Sequence, residues 1–250
     1  MFEELMRAGW PAIEEIPVDG WLARFSGGVT QRANSVLPLA ASADMTAALE
    51  QVEKLYADRG LPVVFQVGEQ DTELDRVLDA RGYASGSPTV VQTAVVDIVL
   101  AALGTHQVDV AEAADAAWLG LWWAVDGRGD AAALAVAEKI LGGGPALYGT
   151  IRDARGAAAV GRLALVGEWG GLYCLAVRPD MRRRGLGAAV LAGLLTSGRE
   201  RGITRSWLQV RAENAGARRL YQRAGYTDAA HYHYRSHRRQ EPVQGVHAEA

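Results

Sequence analysis

Apolar positions recur along this chain with two spacings, and the order in which those spacings alternate lays out its elements. Residues 20–25 and 29–36 each alternate polar with apolar side chains around Ser26-Gly27-Gly28, which predicts a β-hairpin. Met45, Leu49, Val52, Leu55 and Tyr56 then fall three or four apart, the stripe of an amphipathic helix that Arg59-Gly60 ends, and 61–67 reads as a buried strand. A second helix carries Leu74, Val77 and Leu78 and closes at Arg81-Gly82-Tyr83, before an extended stretch over 89–96. At 97–106 the pattern lapses. Beyond it, 110–125 and 131–141 read as helices, the second stopped by Gly142-Gly143-Gly144-Pro145, and 147–152 and 157–165 read as strands.

A further apolar strand at 172–177 breaks at Pro179-Asp180, and Val190, Leu191, Leu194 and Leu195 mark one face of the helix that follows, ending near Ser197-Gly198. Arg182, Arg183, Arg184, Gly185, Leu186, Gly187 and Ala188 therefore lie at a helix start. The first N–H groups of a helix lack internal partners and carry the positive end of its dipole, so a phosphate meets both needs there. Glycines let the backbone approach such a ligand, and arginines add charge to it.

The run Arg182-x-x-Gly185-x-Gly187 after Leu175-Ala176-Val177 resembles the acyl-CoA pyrophosphate motif of the GCN5-related N-acetyltransferases (GNAT). A second segment agrees: the strand Trp207-Leu208-Gln209-Val210, then Asn214, Ala217, Leu220-Tyr221 and Gly225-Tyr226. The resemblance implies acetyl-CoA as cosubstrate, with the backbone of Leu175, Ala176 and Val177 pairing with pantetheine and Asn214 and Ala217 lining its arm. It implies Tyr221 as the acid that protonates the leaving thiolate, while Tyr226 reads as packing. Arg223 and Arg218 are either phosphate contacts or solvated. An attacking amine must lose a proton, and either Glu168 or Tyr173 is the candidate group for that step or for holding the acceptor.

The same order of strands and helices occurs in both halves, and Leu78-Asp79-Ala80-Arg81-Gly82-Tyr83 parallels Leu220-Tyr221-Gln222-Arg223-Ala224-Gly225-Tyr226. The expected fold is α/β with mixed sheets: two GNAT-like domains in tandem, a degenerate one over 1–100 and a catalytic one over 105–236, with a flexible tail over 237–250. The first half lacks the Arg-x-x-Gly-x-Gly turn and resembles the N-terminal domain of a group of actinobacterial acetyltransferases. Alternation puts Thr30, Arg32 and Asn34 on one strand face, lining either a cleft or a solvated sheet. Trp118 and Trp122, four apart, form either an apolar wall for an acceptor or core.

Composition narrows the partners. The 250 residues are 49% hydrophobic with a formal net charge of -3, which disfavours nucleic acid. No signal peptide or membrane-length apolar run is present, so a cytoplasmic protein is expected, a monomer or homodimer acting on a small-molecule or peptide amine. The lone Cys174 excludes an internal disulfide, and His231 and His233 lack an acidic or thiol companion, so no metal is expected. One of those histidines could instead deprotonate the acceptor.

Overall fold

A computed structural model describes residues 1–127 and 129–237. Its elements run α1 (Phe2–Gly9), β1 (Glu14–Val18), β2 (Trp21–Phe25), β3 (Leu37–Pro38), α2 (Met45–Asp58), β4 (Val64–Gly68), α3 (Thr72–Ala80), β5 (Ala84–Ser85) and β6 (Thr89–Val95). There follow α4 (Val96–Leu103), β7 (Asp109–Ala111), α5 (Ala116–Asp126), α6 (Ala131–Leu141), β8 (Ala146–Asp153), β9 (Gly156–Val166) and β10 (Trp169–Val177). The chain then forms α7 (Leu186–Arg199), β11 (Arg205–Arg211), α8 (Ala215–Arg223) and β12 (Thr227–Ser236).

The repeat read in the sequence is real in the topology. In the first half β1, β2 and β3 are antiparallel, α2 crosses over, and a parallel bridge joins Val36 to Phe65 of β4 before α3 and β6. In the second half β8, β9 and β10 are antiparallel, α7 crosses over, and β11 pairs in parallel with β10 before α8 and β12. The last strands are exchanged. Within the nine-stranded sheet, ordered β4-β12-β6-β11-β10-β9-β8-β7 with β5 also paired to β12, β6 of the first half pairs with β11 and β12 of the second pairs with β4.

This exchange revises the reading of residues 97–106. Most of them form a helix, since 96–103 are α4, whose buried Val96 and Val99 pack in one core with α7, and the chain leaves that helix at Gly104-Thr105. The helix is apolar almost throughout and so lacks the amphipathic stripe that betrays a helix in sequence. The strand before it belongs to the sheet of the residues after it, so the border between the halves is not a border in the sheet.

Three other expectations fail locally. The first hairpin turns at Asp19-Gly20, both at positive φ (40 and 83), and joins β1 to β2; an Asp-Gly pair favours such a two-residue turn. Residues 29–36 are not a strand: 31–33 form a 3-10 turn held by buried Asn34. Its carboxamide oxygen accepts from Ser26 N (2.7 Å) and Gly28 N (2.8 Å), and its nitrogen donates to Val29 O (2.6 Å) and Thr30 O (2.8 Å). The helix expected over 110–125 is a short strand and then α5, which starts where the Asp115 carboxylate accepts from Trp118 N. The expected tail begins inside the described fold, where His237 N donates to Val63 O, and its remainder, 238–250, lies outside the described residues.

Two apolar layers sandwich the large sheet. Leu172, Leu208 and Val210 face α4, α7 and α8 on one side, while Tyr173, Trp207 and Ala176 face α1, α5 and α6 on the other. No helix among the described residues is long and apolar enough to cross a membrane.

Candidate functional site

Strands β10 and β11 pair only from Trp169–Arg205 to Leu172–Leu208 and then part. The cause lies in β10: its register against β9 slips between Tyr173 and Ala176, and Cys174 adopts φ +54. A bulge of this kind bends its strand away from a neighbour, and a non-glycine residue in the left-handed region persists only where the surroundings hold it. Beyond Leu172, the edge of β10 that faced β11 is left without a ladder partner.

The wedge so opened is lined on the α7 side by Leu175, Val177, Gly187 and Leu220. A Cβ built on Gly187 would sit 3.7 Å from Leu175 Cδ2, 3.8 Å from Leu220 Cδ2 and 3.9 Å from Val177 Cγ2, so this glycine marks where β10, α7 and α8 converge. Helix α7 begins at Gly185, a left-handed residue (φ 78) with no side-chain cap, so its first-turn N–H groups are offered outward. Arg183 is also left-handed (φ 60), and its side chain and that of Arg184 are exposed beside those donors. Arg182 Nε lies 3.5 Å from Val177 O, tying the loop to the strand end. The preceding turn is braced by Arg178, paired with Asp153 and with Asp180. Helix α2, the first-half counterpart of α7, differs here. The Asp44 carboxylate accepts from Thr46 N and Ala47 N (3.1 Å each), occupying the donors with a built-in anion.

On α8, Asn214 Oδ1 accepts from Ala217 N at 2.9 Å and caps the helix. Its amide nitrogen makes no hydrogen bond among the described residues. Tyr221 is buried edge-on to Tyr226, 5.8 Å between centroids, and burial pushes its phenol up to about 12. Its hydroxyl is hydrogen-bonded to no described residue, whereas Tyr226 shares a 2.7 Å bond with Ser206 and is packing. Arg218 Nη2 pairs with Asp228 (2.8 Å) while its Nε is buried with no partner among the described residues, and exposed Arg223 bonds its own helix at Arg219 O.

The opposite face of the wedge was largely missed by sequence reading. At its apex Tyr173 accepts from Gln209 Nε2 (3.4 Å), while Gln209 Oε1 accepts from Tyr232 OH (2.6 Å) and from Arg32 Nε (3.3 Å). Tyr173 is stacked on Trp10 at 5.3 Å, and burial pushes its phenol to about 12. Behind it lies the fully buried Arg162, which donates to Gly9 O, Leu141 O and Tyr148 OH. Of this group the sequence points to Tyr173, and to Arg32 only through a strand alternation that does not exist. Nothing local in the sequence links residue 32 to residue 209.

Glu168 does not join this group. It is exposed in the β9–β10 turn, its carboxylate accepting from Thr204 Oγ1 (2.8 Å), and five steps of strand at ~3.3 Å each separate it from Tyr173. Trp118 and Trp122, 1% and 3% exposed, are core rather than a wall, with Trp118 Nε1 donating to Gly161 O. His233 and Arg235 bind Asp75 of α3 (2.8 and 2.7 Å), clamping the two halves together away from the wedge. Among the described residues no group of His, Cys, Asp or Glu is arranged to hold a metal ion. Desolvation holds the Cys174 thiol well above its ordinary range, so it stays protonated.

With this geometry in view, the comparison with known proteins is direct. The family described as "Probable histone acetyltransferase Rv0428c C-terminal" matches residues 1–236. The chain belongs to that family. It is an acyltransferase of the GCN5-related N-acetyltransferase superfamily, and such enzymes use acetyl-CoA. This GNAT protein is 27% identical over 240 residues to the uncharacterized N-acetyltransferase YobR of Bacillus subtilis (strain 168), covering 93% of this chain and 96% of that one. Over 58 residues it is 45% identical to the ribosomal protein bS18-alanine N-acetyltransferase of Escherichia coli (strain K12), covering 23% of this chain and 39% of that enzyme. Among solved structures, a GCN5-related N-acetyltransferase from Kribbella flavida superposes with TM-score 0.68 at 19% identity, covering 94% of both chains. A tandem GNAT protein from the clavulanic acid biosynthesis pathway gives 0.65 at 13% identity, over 81% of this chain and 74% of that one.

Proposed function

We propose that the chain transfers an acetyl group from acetyl-CoA directly to a primary amine in the β10/β11 wedge, and that only its second half does so. The observation that carries this reading is the uncapped, glycine-initiated start of α7 beside the unpaired edge of β10. The pyrophosphate takes the N–H groups of Leu186, Gly187 and Ala188 with Arg182, Arg183 and Arg184 around it, while pantetheine adds to the edge of β10 at Leu175, Ala176 and Val177. The free amide nitrogen of Asn214 is available to the same arm. In the first half, Asp44 fills the equivalent donors and repels a phosphate, which supports a single site per chain.

In this reading the amine enters from the Tyr173 face, a backbone N–H near Val177 polarises the thioester carbonyl, and Tyr221 protonates the departing sulfur. A phenol pushed to about 12 holds its proton at neutral pH, as an acid must. Tyr173, pushed equally high, is no base; the amine's proton passes to water. The acceptor is a small molecule or a peptide N-terminus, the latter supported by the local likeness to an enzyme named for an alanine of a ribosomal protein. Thiol release from acetyl-CoA with an amine panel tests it. Tyr221→Phe should lower turnover by about a hundredfold with little change in acetyl-CoA KM; full turnover in that variant removes the acid role.

A further inference from the structure

The apex of the wedge is unusual in its charge. Arg162 lies 5.8 Å from the Tyr173 ring and Arg32 reaches Tyr173 through Gln209, and neither forms an ion pair among the described residues. Arg162 is fully buried and its donors are spent on two carbonyls and a phenol. Arg32 differs. It is half-buried, it comes from the first half of the chain, and its contacts are with uncharged groups: Nε donates to the Gln209 amide oxygen and the guanidinium also interacts with the Tyr232 side chain, so no carboxylate meets it among the described residues. The companions at the apex, Gln209, Tyr173 and Tyr232, are neutral, and no carboxylate touches them among the described residues. The acidic group whose field reaches Cys174 is Asp126, exposed at the end of α5.

A desolvated guanidinium without a counter-charge is costly, and an anion docked on it removes that cost while gaining charge-assisted hydrogen bonds. A purely cationic acceptor gains nothing at such an apex. We infer that Arg32 is an acceptor-binding residue that holds an anionic group of the substrate, so that the amine acetylated here belongs to a molecule bearing a carboxylate or a phosphate. The first half of the chain thereby supplies specificity to a site built by the second. Gln209 fixes the fork by accepting at Nε, and Tyr232 fixes Gln209 by donating to the same oxygen. The inference rests on the acetyl-transfer reading for the role of the site, while the anion contact itself stands on Arg32 alone.

The test reads binding by isothermal titration calorimetry, which needs no turnover. β-Alanine, ethanolamine phosphate, propylamine and putrescine are titrated into wild type, Arg32→Gln and Arg32→Lys, each with and without saturating CoA. One or both anionic amines should bind at least about tenfold more tightly than propylamine or putrescine, and Arg32→Gln should abolish that preference while leaving CoA affinity unchanged. Arg32→Lys should restore part of it. A response confined to β-alanine identifies a carboxylate, and one confined to ethanolamine phosphate a phosphate. No preference for the anionic amines, or a preference that survives Arg32→Gln, overturns the inference. Absence of CoA binding would instead count against the acetyl-transfer reading, and the titrations without CoA would still decide the role of Arg32.

Discussion

Replacing Gly187 with alanine should make the protein more stable and a poorer enzyme at once. The residue lies in the first turn of α7, and its position in a helix means alanine restricts the unfolded chain without needing a left-handed backbone. The new methyl would meet Leu175, Leu220 and Val177 at 3.7, 3.8 and 3.9 Å, ordinary contact distances that need no atom to shift. The expected gain is ~0.5–1 kcal/mol, or ~1–4 °C in Tm for a chain of this size. That same methyl fills the notch between β10 and α8 where the proposed function places acyl-CoA beside the α7 donors. Acetyl-CoA affinity, measured by calorimetry, should therefore fall while melting, followed by circular dichroism, moves upward. A lower Tm would show that the helix start is strained rather than merely open. A raised Tm with undiminished affinity would show that acyl-CoA does not lie against Gly187.

Other substitutions separate folding from function elsewhere. Asp44→Ala removes the cap of α2 and should cost ~1 kcal/mol in a urea titration, without creating a second CoA site detectable as binding stoichiometry. Asn34→Ala leaves the 26–34 loop without its organiser; a loss of ~2–3 kcal/mol and a weaker hold on Arg32 should appear as a lower Tm and a changed amine preference. Asp75 is held below the usual carboxylate range, chiefly by its hydrogen bond from Arg235 and then by His233. A depressed folded pKa gives stability that is present above about pH 4 and lost as the pH falls through the folded value. Tm followed from pH 6 downward should drop more steeply in wild type than in Asp75→Asn, and parallel curves would exclude this clamp as an acid-sensitive element.

How much of this was legible beforehand follows from distance along the chain. The α7 cradle was readable because a strand, a turn and a helix start are contiguous, and their donors and glycines are fixed by local backbone geometry. The repeat was readable because its order of elements is a one-dimensional property. Asp19-Gly20 is as visible in the sequence as Ser26-Gly27-Gly28, and of the two only the first fits a two-residue turn. Helix α4 left no signature, since a helix apolar all round has no periodicity to find.

By itself, then, the sequence determined most of the elements, the glycine-marked start of α7 and the doubling of one pattern, all of which arise between residues close in the chain. Tertiary structure alone decided that the final strands β6 and β12 change places, because which edges pair depends on what the whole sheet can bury. It alone moved Glu168 to the far end of its strand and sank Trp118 and Trp122 into the core. It also set Arg32 beside Gln209 across 177 positions, and only that exchange of partners between halves turns a loop arginine into part of a candidate active site.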